Sequence, residues 1–89
     1  MARRRTLAPG DAALDLNFET LKTRLKQGKY LEVATGGGVF EVWAEPYANP
    51  PGVYYEGEQY PLEDIDLVVQ KILDAMAAGE VKCRWVEED

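Results

Sequence analysis

The chain contains no histidine and no serine. Ser–His–Asp and Cys–His catalytic machinery, and every zinc site with a histidine ligand, therefore lie outside its chemistry. Its single cysteine, Cys83, excludes an intrachain disulfide, a CxxC redox pair and a four-cysteine zinc site. No apolar run approaches the roughly 18 residues that a membrane-crossing helix needs, so no membrane partner is expected. No base stands anywhere between Lys29 and Lys71. The opening residues, Met1 to Gly10, are basic but lack the apolar centre of a secretory signal. The expected location is the cytoplasm, or a virion assembled in it.

What is present is ordinary for a small globular domain: 89 residues, 46% hydrophobic and 29% charged. A body of this size buries a modest share of its surface, so a partner or a second copy would add stability. The net charge of −6 is unevenly spread. Residues 1–33 carry seven bases and four acids, whereas residues 34–89 carry three bases and twelve acids. The chain thus joins a basic leading part to an acidic body, a pattern that favours charged partners or head-to-tail contact between copies.

Along the chain, residues 1–13 show no periodicity and contain the turn signal Pro9-Gly10. They are expected to form a flexible basic N-terminal arm carrying Arg3, Arg4 and Arg5, ahead of a single domain over 14–89. Leu14, Phe18, Leu21 and Leu25 recur on one face of a helix over 14–27, capped by Asp15 or Asn17 and stopped by Gly28. Strands are expected at 30–35 and 39–44, joined through Gly36-Gly37-Gly38 into a hairpin. Residues 45–52 hold Pro46, Pro50, Pro51 and Gly52 and read as a loop. Val53 to Glu56 reads as a third strand closed by Gly57. From Leu62, the positions Ile65, Val68, Val69, Ile72, Leu73 and Met76 form a wide helical stripe over 62–78, ended by Gly79. Val81 to Val86 alternates as a last strand. The expected fold is α+β, in the order α-β-β-β-α-β: a mostly antiparallel sheet of three or four strands with helix 62–78 packed on one face.

Strand alternation assigns the two sheet faces. Leu31, Val33, Phe40, Val42, Val53, Tyr55, Val81, Cys83 and Trp85 share the face under helix 62–78. Tyr30, Glu32, Glu41, Trp43, Tyr54, Glu56, Lys82 and Arg84 share the other. If helix 14–27 covers this second set, its aromatics form a second small core. If the helix lies elsewhere, Tyr30, Trp43 and Tyr54, with Tyr47 nearby and Glu41 and Glu56 at the rim, make an exposed aromatic patch of the kind that anchors protein partners.

Few motifs carry chemistry. The triple glycine is followed by a strand where a phosphate loop requires a helix. Glu63, Asp64 and Asp66 sit where carboxylates complement a helix N-terminus, and they lack the rest of a calcium loop. Cys83 falls on the core face with no histidine to activate it. Pro50-Pro51-Gly52-Val53-Tyr54 misses the PPxY spacing by one residue, while Trp43 and Tyr47 could line a groove for a partner's proline segment. No cofactor, metal site or catalytic residue is expected. The function expected is a non-catalytic protein–protein interaction or assembly module, a structural or accessory component of a larger assembly such as a phage particle. Two alternatives stand beside it. One is a small acidic regulator that occupies the basic site of a nucleic-acid-binding protein. The other is a nucleic-acid accessory protein that meets phosphates through Arg3, Arg4, Arg5 and helix 14–27.

Overall fold

The computed structural model describes residues 16–86. The expected basic arm with Arg3, Arg4 and Arg5, the residues Leu14 and Asp15, and the acidic end Glu87-Glu88-Asp89 lie outside the described residues. Helix α1 spans Phe18–Lys26. Asn17 caps it: the side-chain Oδ1 accepts the Thr20 backbone N–H at 2.8 Å, satisfying one of the first-turn donors that a helix leaves without an internal partner. Strands β1 (Leu31–Thr35), β2 (Gly38–Glu45), β3 (Gly52–Tyr55) and β4 (Glu58–Pro61) follow. A single 3-10 turn, Leu62–Asp64, leads into helix α2 (Ile65–Ala77), and β5 (Val81–Trp85) closes the order. Both helices end at a left-handed glycine, Gly28 (φ 90°) and Gly79 (φ 75°). At each, two backbone N–H groups return to the last helical turn, Lys29 to Arg24 and Gly28 to Leu25, then Glu80 to Ala75 and Gly79 to Met76.

The sheet has five strands, all antiparallel, in the order β4-β3-β2-β1-β5. This corrects the expected three or four. The additional strand is β4, Glu-Gln-Tyr-Pro, which shows no apolar alternation and ends in a proline. Glu56-Gly57 is the two-residue turn of a hairpin, since Tyr55 pairs with Glu58. Both turn residues have positive φ (52° and 81°), the twist that two-residue hairpins favour. Gly57 therefore turns the chain back where the sequence pattern suggested an end. A proline is tolerated because β4 is an edge strand.

The core lies on one side of this sheet. Leu31 and Val33 of β1, Val42 and Ala44 of β2, Val53 of β3 and Trp85 of β5 are buried beneath Ile65, Val68, Val69 and Ile72 of α2. Leu21 and Leu25 of α1 are fully buried in the same cluster. Both helices thus share one face. Lys22 Nζ meets Asp66 Oδ1 at 3.0 Å and ties α1 to the first turn of α2. The Arg24 guanidinium lies 5.4 Å from the centre of the Trp85 ring. Trp85, Cys83 and Val81 belong to the helix side, as alternation requires.

Candidate functional site

With both helices on one face, no helix among the described residues lies on the other. The pairing register arranges that open face in rows running across the strands. One row holds Gln59, Tyr54 and Trp43 on β4, β3 and β2, with Tyr30 beside Trp43 just ahead of β1. The next holds Glu41, Glu32 and Arg84 on β2, β1 and β5. The third holds Val39, Ala34 and Lys82 on the same three strands. Glu45, Gly52 and Pro61 form the row on the far side of the aromatics.

The aromatic row is a stack. Trp43 and Tyr54 lie 4.8 Å apart with planes 12° from parallel, and Trp43 and Tyr30 lie 5.5 Å apart at 23°. The spacing matches that between neighbouring strands, so the strand framework sets the rings at stacking distance. Both faces of the Trp43 indole are consequently covered by phenols, and the rings present their edges outward. The indole N–H donates to Glu45 Oε2 at 3.2 Å, which fixes the ring further. Tyr30 is 37% exposed, and Trp43 and Tyr54 are half-buried by their neighbours.

The charges around the stack are asymmetric. Glu41 and Glu45 stand on β2, Lys82 and Arg84 on β5. Between them, Glu32 accepts a close hydrogen bond from Arg84 Nε. Glu41 sits directly opposite Glu32, an unfavourable like-charge pair across strands, and makes no ion pair among the described residues.

The structure therefore brings together Tyr30, Trp43, Tyr54 and Glu41 of the expected contact residues. It does not bring in Tyr47 or Glu56. Tyr47 is 98% exposed in the β2–β3 connection and makes no ring contact among the described residues, so it is not part of the Trp43 stack. Glu56 is at the β3–β4 turn, where left-handed backbone takes it out of the strand alternation. Glu45 and Val39 join the face in addition to the expected residues. Strict alternation from Trp43 places both there; for Glu45 the signal is masked by the adjacent Pro46, which suggests that the strand has already ended.

The remaining candidates act structurally. Glu63 and Asp64 occupy the 3-10 turn, and Asp66 is paired to Lys22. Burial pushes the Cys83 thiol up to about 11, so it is protonated and unreactive near neutrality. The Tyr55 phenol is raised by burial and then by nearby Glu56, Tyr60, Cys83 and Glu80. No group of three His, Cys, Asp or Glu side chains among the described residues is placed to hold a metal ion. No helix among them is long and apolar enough to cross a membrane. No family model, curated protein or solved structure matches the chain.

Proposed function

We propose that this chain is a non-catalytic protein-binding module, a component of a larger assembly, and that the helix-free sheet face is its contact surface. The observation that carries this reading is the Tyr54–Trp43–Tyr30 stack, held at fixed spacing on a face that no described helix covers. Tyrosine and tryptophan pre-set by a rigid sheet lose little conformational freedom on binding, and both residue types concentrate interface energy.

The same geometry disfavours nucleic acid as the occupant. A base-stacking platform needs ring faces open to a nucleobase. Here both faces of Trp43 are taken, and Glu32, Glu41 and Glu45 share the surface, where they would repel phosphates. On α1, Lys22 and Arg24 already serve Asp66 and Trp85. The reading is tested by immobilising the full chain, a Trp43→Ala variant and a Leu67→Ala variant, and exposing each to an extract of the source cells. Leu67 is 52% exposed on the helix side and serves as the control. A protein partner should be retained by the wild type and L67A and lost from W43A. Equal retention by all three, or none by the wild type, overturns the reading.

A further inference from the structure

We infer that the helix-free face binds a second copy of the same chain, face to face about a two-fold axis lying along β1. This rests on the reading of that face as a protein-contact surface and names its occupant.

Charge and register select this occupant. Acids Glu41 and Glu45 lie on β2, one strand to one side of β1, and bases Lys82 and Arg84 lie on β5, one strand to the other side. Rotating a copy by half a turn about β1 lays its β5 over β2 of the first, and its β2 over β5. Glu41 and Arg84 are in the same row, because Glu41 pairs with Glu32 and Glu32 with Arg84. Each Glu41 therefore meets Arg84 of the second copy, twice by symmetry, as an isologous interface requires. Glu41 gains a cation that no described residue of its own chain supplies. On the axis, each Glu32 shares its own Arg84 with Glu41 of the second copy. In the next row Val39, which is 62% exposed, comes to lie against the stem of Lys82.

Size sets the strength. Rotation about β1 overlaps only β2, β1 and β5 of each copy, and three strands at about 4.8 Å, over about 20 Å of strand length, give on the order of 300 Å² per copy, below the standard size of a specific interface. The dimer should be weak, reversible and weakened by salt.

Sedimentation equilibrium of the full chain, from low micromolar to near-millimolar concentration, tests this. The wild type should pass from monomer to dimer. Glu41→Arg and Arg84→Glu should each weaken dimerisation, on the order of tenfold for two lost contacts replaced by repulsion. An equimolar mixture of the two should recover it. In the mixed dimer the introduced arginine of one copy faces the introduced glutamate of the other, and the retained Arg84 of the first faces the retained Glu41 of the second. Circular dichroism checks that R84E folds. Val39→Lys mixed with Lys82→Glu is a second swap at exposed positions that bear no internal ion pair among the described residues, and this mixture should associate more tightly than either variant alone. A wild type monomeric over the whole range overturns the inference. So does a dimer indifferent to all four substitutions, or mixtures that recover nothing. Loss of the dimer leaves the broader reading to the W43A capture experiment, so the two failures are distinguishable.

Discussion

Replacing Trp43 with alanine should destabilise the fold by an amount the ring geometry sets. The indole makes two parallel stacks, at 4.8 Å with Tyr54 and 5.5 Å with Tyr30. Each such pair contributes about 0.5–1.5 kcal/mol beyond area burial, so the two together contribute about 1–3 kcal/mol. The exposed hydrogen bond to Glu45 adds less than about 1 kcal/mol. The expected loss from these contacts is about 1–4 kcal/mol. Against this, a domain of 89 residues holds only roughly 4–13 kcal/mol in total. The assay is urea unfolding followed by far-UV circular dichroism, which does not depend on the tryptophan removed. Area loss and stacking separate in a cycle with Tyr54→Ala. If the rings are coupled through the stack, the double variant should lose about 0.5–1.5 kcal/mol less than the sum of the single ones. Tyr47→Ala, which removes a ring that touches no other ring among the described residues, should change stability by no more than about 0.5 kcal/mol. A coupling below about 0.3 kcal/mol, or a W43A loss no larger than that of Y47A, would refute a pre-set aromatic face and with it the basis for a contact surface there.

Three further expectations concern the fold. Burial raises the Cys83 thiol from an ordinary 9.0 to about 11, so above pH 9 the folded chain holds a proton that the unfolded chain releases. Stability is intact below pH 9 and should fall as pH rises towards 11; Cys83→Ala should flatten that part of a pH-dependent melting series, and an unchanged slope would contradict the assignment. Glu56 occupies left-handed backbone at φ 52° in the β3–β4 turn, where asparagine fits better; Glu56→Asn should gain about 0.5–1 kcal/mol in urea unfolding, and a loss would argue against this turn geometry. Asn17→Ala removes the cap on the Thr20 N–H and should cost about 1 kcal/mol in the same assay, whereas Asn17→Asp should retain most of it.

Much of the local structure was legible from pattern. The two sheet faces follow from alternation between Tyr30 and Trp85, and every strand residue assigned to the helix side lies in the observed core or packs against it. The two helices follow from leucine, isoleucine and valine spacing, with Asn17, Gly28 and Gly79 as their ends. β4 was not legible, because a four-residue edge strand paired along only one side needs backbone partners more than apolar side chains. Glu58-Gln59-Tyr60-Pro61 carries no pattern from which a strand could be read.

The sequence by itself determined which side chains share a face, because the pleat enforces a period of two whatever the chain does next. It did not determine which face α1 would choose. The Leu21 and Leu25 stripe is narrow and would fit any apolar surface, and nothing within the helix distinguishes one side of the sheet from the other. The choice was made in three dimensions. On the α2 side, Leu21 and Leu25 join a continuous apolar cluster. On the other, covering the sheet would strip water from Glu32, Glu41, Lys82 and Arg84, of which only the Glu32–Arg84 pair is matched within the sheet face. The cost of burying those charges left the Tyr54–Trp43–Tyr30 stack facing outward.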